Sequence, residues 1–314
     1  MIELCYTLTD DLSYEESYQN YLSLISDLQA VFIKIILNQF VVPDCMEGFA
    51  NKIYHNHKQF LEFIIGTKVK NQIQAKQAVD TAILGTALAQ RMDLSLYSVS
   101  KIIEAALLHD VGMLYVPKTV VNKPANLGSQ DLQYILSHPL QTSRFITKEL
   151  RCFDDVAAIT MQHHEAWNGT GYPHRLSGPE TFIEARIIAV ADAFAAMISE
   201  RPYRKPMPGH IAVQHLLSGI KTKFDPAVVK HFVQAIGMYP IGSLVELTNG
   251  DTARVVEYIT EASGLKPRVR IIDSPRNDLL KDRTPVDLLD KKGIFVKKGS
   301  ENNQEILMDL IHDL

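Results

Sequence analysis

Apolar residues recur at helical spacing through Leu22 to Leu37 and again through Phe60 to Ile65, the three-and-four-residue rhythm of an amphipathic helix. Pro43 separates the two runs. The rhythm returns in Val79 to Ala89 and in Ile102 to Leu108, and Gly112 reads as the stop of the second of these. Ser129 is suited to cap a helix that runs on through His138, where Pro139 would disturb it. Asp154 or Asp155 is placed to cap a helix carrying His163, and Ile183 to Ser199 is apolar and Ala-rich with Asp192 in its middle. Asp225 and Pro226 pair an N-cap with a proline at the first helical position of a helix that ends near Gly237. Beyond Tyr239 and Pro240 the period changes. Ser243 to Thr248, a turn at Asn249–Gly250, and Ala253 to Thr260 predict a β-hairpin, with further strands over Pro267 to Asp273 and Ile294 to Lys298. The chain therefore reads as mainly α. A helical N-terminal segment of unassigned role covers 1–70, a helical block 71–237, and a small β-rich module with a tail 238–314.

Composition narrows this little. Hydrophobic residues make up 46% and charged residues 22% of 314, a globular balance. A formal net charge of −4 argues against nucleic acid as a partner, which calls for a basic patch or stripe. Cys5, Cys45 and Cys152 are odd in number and lack a Cys-x-x-Cys spacing, so they read as reduced thiols of a cytoplasmic protein. The start, Met1 to Cys5, lacks the basic residues of a signal peptide. The longest apolar run, Leu28 to Leu37, is interrupted by Lys34 and falls short of the ~20 residues of a membrane span. His55 and His57 point to different helix faces and read as ordinary surface residues.

The chemistry lies in the helical block. His109–Asp110 follows Ala105 to Leu108; His138, His163, His164 and Asp192 follow at intervals, each in or beside an apolar run. Histidine and aspartate are costly to bury unless paired or bound to metal. One His-Asp pair, or one His-His-Glu, is a weak signal. The conjunction of four imidazoles and two carboxylates is a specific one. A carboxylate can span two ions roughly 3.5–4 Å apart, and such a pair lowers the pKa of a bridging water for in-line attack on phosphorus. Mixed imidazole and carboxylate ligands suit Fe, Mn, Zn or Ni better than Mg or Ca. The reaction class this implies is metal-assisted phosphoester hydrolysis.

Residues of about 75–237 resemble the HD-GYP family, a branch of the HD phosphohydrolase superfamily. The resemblance is carried by Leu107 to Gly112, Asn122–Lys123–Pro124, His138–Pro139, His163–His164–Glu165, Gly169–Thr170–Gly171–Tyr172–Pro173, Ala185 to Ile187, Val190 to Phe194, Arg201 to Arg204, and Phe224–Asp225–Pro226. It implies an HD-type helical bundle with two divalent ions, iron foremost and Mn, Zn or Ni as substitutes. It implies hydrolysis of cyclic di-GMP, or a related cyclic dinucleotide, to linear pGpG or GMP in bacterial second-messenger signalling. By position, Asp110 would bridge the ions, His109 and Asp192 would complete one site, and His138, His163 and His164 the other. His109 and Asp110 are thus the candidate catalytic pair. Tyr172 and Arg201 would face substrate phosphates, with Gly171 and Pro173 shaping the turn that aims Tyr172. The resemblance also implies contact with GGDEF-domain proteins, and the apolar N-terminal helices are of a kind that supports a homodimer.

Three departures stand out. Gln77 occupies the position where the family usually has a histidine, which predicts a weakened first metal site. Ile73 falls where some members carry a further acidic ligand, and Met113 replaces the usual lysine after His-Asp-x-Gly. Asn168, in place of an aspartate, is the mildest change. These departures support an alternative in which the protein is catalytically degenerate and acts as a cyclic-dinucleotide receptor or a protein-interaction module.

Overall fold

The computed structural model describes residues 14–39, 44–121, 123, 128–150, 154–200, 204–261, 264–273, 286–287 and 296. The N-terminal segment forms α1 (Tyr14–Ile36) and α2 (Asp44–Ile64). The helical block continues with α3 (Ile73–Arg91), α4 (Leu96–Leu108), a 3-10 turn (Val111–Tyr115), α5 (Lys118–Val121), α6 (Ser129–Leu136), α7 (His138–Phe145), α8 (Asp154–Gln162), α9 (Ile183–Ile198), α10 (Gly209–Ser218) and α11 (Pro226–Ile236).

α3 is the central helix. Nearly every side chain from Ala75 to Ala89 is buried, because α3 packs on α1, α2, α4, α9 and α11 at once. A helix covered on all faces needs small or apolar residues all round, and the alanines of this stretch meet that need. One continuous apolar core joins Tyr21 and Leu24 of α1 and Ile53 and Phe60 of α2 to Ile83, Ile103, Ile187 and Phe232. Tyr21 donates a 2.6 Å hydrogen bond to buried Asp80, and Lys76 binds both Asp80 and the Ile64 carbonyl at the end of α2.

β1 (Leu244–Glu246), β2 (Thr252–Glu261), β3 (Gly264–Asp273) and β4 (Val286–Asp287) make an antiparallel sheet in sequence order. Its small core gathers Tyr239, Val245, Leu247, Ala253, Val255 and Val269. The Asn249–Gly250 turn forms as expected, with Gly250 at φ +88°. The sheet docks on the N-terminal helices through Arg270 to Glu62 at 3.0 Å and Arg254 to the Tyr14 hydroxyl at 2.8 Å.

Several sequence expectations are corrected. The cap of α6 is Gly128, not Ser129, because the Asp131 carboxylate reaches back to accept the Gly128 N–H. The helix expected to pass through His138 breaks at Ser137, so that His138 opens α7 and Pro139 sits in its first turn, where no N–H is missed. Gly112 does not stop α4, which ends at Leu108; it lies inside the 3-10 turn. His57 is buried, its Nδ1 2.8 Å from the Tyr54 carbonyl, while His55 is exposed. Val286–Asp287 adds an unforeseen strand, and of the stretch Ile294 to Lys298 only Val296, bridged to Leu247, is among the described residues. Among the described residues no helix is long and apolar enough to cross a membrane.

Candidate metal centre

Three helix termini and one helix middle bring the predicted side chains together. His109 and Asp110 leave the end of α4, His138 opens α7, His163 and His164 leave the end of α8, and Asp192 projects from the middle of α9. Placing polar side chains at helix ends lets the apolar bodies of those helices remain in the core.

The carboxylate of Asp110 faces two ways. Its Oδ1 lies 3.2 Å from His138 Nε2 and 3.9 Å from His163 Nε2, while Oδ2 lies 3.5 Å from His109 Nε2. His109 Nε2 also lies 3.3 Å from Asp192 Oδ1. The ligand atoms of Asp110, His138, His163 and His164 all fall within 4.8 Å of one another. Asp110 is the open member, with 28% of its side chain exposed, against 14% for Asp192 and no more than 2% for His109, His138 and His163.

Three of the imidazoles are set by the same device. Nδ1 of His109, His138 and His163 lies 2.6–2.7 Å from the carbonyl three residues earlier, of Ala106, Ile135 and Thr160. A carbonyl only accepts, so each Nδ1 carries a proton and Nε2 is the inward nitrogen left to ligate when the ring is neutral, the tautomer a metal ligand needs. His109 Nε2 is buried and makes no hydrogen bond. That orphaned nitrogen, together with the His138 and His163 Nε2 atoms 3.3 Å apart beside a shared carboxylate, is a donor set that fits a borderline divalent ion.

Electrostatics supports the same chemistry. Burial, then the neighbouring His164 imidazole, pushes His163 well below its ordinary value. Burial, then His138, lowers His164 to about 4. Both rings are neutral and ready to ligate. Burial works against a charge on His109, but Asp110 and Asp192 outweigh it and lift that ring to about 9. Asp110 is held well below the usual carboxylate range: burial opposes its charge, and the His109 and His138 rings prevail.

Stability of the metal-free protein follows. Between about pH 6.5 and pH 4 the unfolded chain takes up a proton at His164 that the folded state refuses, so stability falls as pH drops through that window. The loss from this ring is roughly 3 kcal/mol at about 1.36 kcal/mol per pH unit. His109 acts in the opposite sense: its contribution is full below about 6.5 and declines as pH rises through about 9. Urea midpoints measured in chelator should therefore fall on both sides of a maximum near pH 6.5. A midpoint unchanged between pH 6.5 and 4.5 would contradict the neutral assignment.

Tyr172 covers the mouth. Its ring stacks on His164 at 4.9 Å and 25°, and its N–H donates to the His164 carbonyl at 3.2 Å. Burial, then the charges of Asp110 and Asp192, push its hydroxyl far up, so it stays protonated and able to donate. Gly169 sits at φ +78°, and a Cβ on Gly171 would lie 2.2 Å from the Ala166 nitrogen, so this loop approaches the His163–His164 turn backbone to backbone. Pro173 is exposed beside it. Arg201 lies outside the described residues.

Two residues given no role from sequence hold this arrangement. The Thr142 hydroxyl donates to the His109 carbonyl at 2.9 Å and accepts the Gly112 N–H at 2.8 Å, tying the His-Asp turn to α7. Buried Glu165 accepts the N–H groups of His174 and Leu176 at 2.7 and 3.0 Å, clamping the Tyr172 loop. The signals were present: Thr142 stands one helical turn after His138, and Glu165 directly follows the His pair. Gln77 is buried on α3, and its carboxamide nitrogen donates to Asp192 Oδ1. Ile73 and Met113 are half-buried.

A cluster of inward-facing imidazoles around a two-faced carboxylate, carried on helix ends of one bundle, defines a class of helical metal-site proteins. Residues 61–228 match the model of the HD domain, and residues 244–307 match that of a KOW domain associated with the HD domain. The chain belongs to the HD-domain family. It is similar to the cyclic di-GMP phosphodiesterase PA4108 of Pseudomonas aeruginosa, with 32% identity over 74% of this chain and 56% of that protein. It is also similar to 3'3'-cGAMP-specific phosphodiesterase 3 of Vibrio cholerae, with 35% identity over 43% of this chain and 29% of the relative. The chain thus spans about half or less of the length of these relatives. Bd1817, an HD-GYP-type protein of Bdellovibrio bacteriovorus, shares the fold with a TM-score of 0.54 at 20% identity, over 74% of this chain and 76% of that one.

Proposed function

We propose that this chain is a metal-dependent phosphodiesterase that hydrolyses cyclic di-GMP, or a related cyclic dinucleotide, to linear pGpG or GMP at a dinuclear centre. The observation that carries the reading is the Asp110 carboxylate, one oxygen turned to His138 and His163 and the other to His109. The names of the relatives, acting on cyclic di-GMP and on 3'3'-cGAMP, support the substrate class.

His109, Asp110 and Asp192 would hold one ion, and Asp110, His138, His163 and His164 the other, with iron expected and Mn, Zn or Ni accepted by the same donors. Bound divalent metal supplies Lewis acidity and an acidified water for attack on phosphorus. The chain's own residues then orient and enclose. The backbone-bonded Nδ1 atoms keep His109, His138 and His163 fixed so that these three rings need not turn on loading. Tyr172, protonated and stacked on His164, donates its hydroxyl to a phosphate oxygen at the mouth. Arg201 would grip a second oxygen through paired hydrogen bonds.

The test is incubation of anaerobically purified protein with cyclic di-GMP and 3'3'-cGAMP, with Fe(II) or Mn(II), read by product chromatography. The expected result is linear product that chelator abolishes and metal restores. Intact substrate under every metal condition, with binding retained, would favour the receptor reading, to which the bond from Gln77 to Asp192 lends weight.

A further inference from the structure

The two halves of the centre differ in what already occupies them. Asp110, His138, His163 and His164 present four ligand atoms converging within 4.8 Å. His109 and Asp192 do not join that set, and Asp192 Oδ1 already has two close neighbours. His109 Nε2 stands 3.3 Å away, and the Gln77 carboxamide donates a hydrogen bond to the same oxygen. The direction of that bond is fixed by chemistry. A carboxylate oxygen accepts and an amide nitrogen donates, and it is the Gln77 nitrogen that meets Asp192. Gln77 must therefore offer its nitrogen and turn its oxygen elsewhere.

We infer that Gln77 is an internal latch. It competes for the Asp192 oxygen that a second ion needs, so the centre fills in two unequal steps. The four-ligand half takes its ion first. The second ion enters only by displacing the Gln77 amide from Asp192. Turnover is then set by the supply of free divalent metal, because the protein at low metal holds one ion and lacks the second. The inference rests on the proposed metal centre and adds to it an order of loading and the residue that imposes it.

A latch and a weak ligand make opposite predictions for one substitution. Gln77→Leu keeps the side-chain volume and removes both the donor and the carbonyl. As a latch, its removal frees Asp192 and tightens the second ion by about tenfold or more, the weight of a hydrogen bond to a charged acceptor. As a ligand, its removal loosens the second ion. The experiment is Mn(II) titration of metal-free full-length protein without substrate, followed by EPR. The isolated-ion signal reports the first ion, and the exchange-coupled signal of a close pair reports the second. The wild type should show one tight ion, then a coupled pair only at higher Mn(II). Gln77→Leu should keep the tight ion and form the pair at lower Mn(II), with Gln77→Ala repeating the test where the leucine disturbs packing. Equal affinity for both ions in the wild type, or a weaker second ion in both variants, would overturn the latch while leaving the phosphodiesterase reading intact. No tight ion in any protein would overturn both.

Discussion

Asp110→Ala is expected to remove tightly bound metal from both halves of the centre and to lower turnover by more than about 100-fold. Loss of outer-shell partners of metal ligands alone typically costs 10- to 100-fold, and Asp110 is the one carboxylate placed to serve both halves. His138 and His163 face one of its oxygens and His109 the other. Alanine removes both in a single step and leaves His138 and His163 without the carboxylate they face, since Asp192 lies on the His109 side. The side chain reaches the surface, so the fold should persist without it. Metal content after gel filtration, together with far-UV circular dichroism, checks the expectation. Two ions retained in a folded Asp110→Ala protein would remove Asp110 from the bridging role.

Gly112→Ala should be nearly as damaging, though it deletes no ligand. A Cβ at this position would lie 2.2 Å from the His138 carbonyl oxygen and 2.8 Å from Thr142 Oγ1. The first obstacle is backbone, which cannot rotate aside, so the turn after Asp110 and the start of α7 must separate. Separation breaks the Gly112 N–H bond to Thr142 and draws His138 away from Asp110. Overpacking of this kind typically costs about 1–3 kcal/mol, and a buried donor left without its partner adds about 1–3 kcal/mol. The expected outcome is a thermal midpoint several degrees lower and a large loss of metal affinity and activity. Asp110, His138 and Thr142 are chemically unchanged. A variant with wild-type metal affinity would show that the close approach of this turn to α7 does not set the centre.

Much of this was legible in the sequence. The helical periods, the Asp225–Pro226 start of α11 and the Asn249–Gly250 turn are local signals, and local physics settles them. So is the presence of several histidines and aspartates beside apolar runs. What periodicity could not supply is how helix ends meet. His57 reads as surface because it and His55 point to different helix faces and form no cluster, yet α2 turns it inward against its own backbone. Gly112 looks like a helix stop because glycine often is one, whereas its actual constraint is the backbone of a helix 26 residues later. Thr142 and Glu165 act through hydrogen bonds to loops, and no spacing rule announces those. Gln77 is identifiable as a departure, but that it donates to Asp192 depends on α3 and α9 lying side by side.

The HD-domain match begins at residue 61, inside α2, but the cooperative unit does not. Tyr21, Asp80, Lys76 and the last carbonyl of α2 form one buried polar knot within a core shared by α1, α2 and α3. A fragment starting at the match would leave Asp80 without its phenol and the apolar face of α3 open to water. Amide hydrogens in the middle of α1 should accordingly exchange through the same rare global opening as those of α3, and not by local fraying. Lys76 of that knot adjoins Gln77 on α3, so loosening the N-terminal helices would loosen the support of the Gln77–Asp192 contact as well.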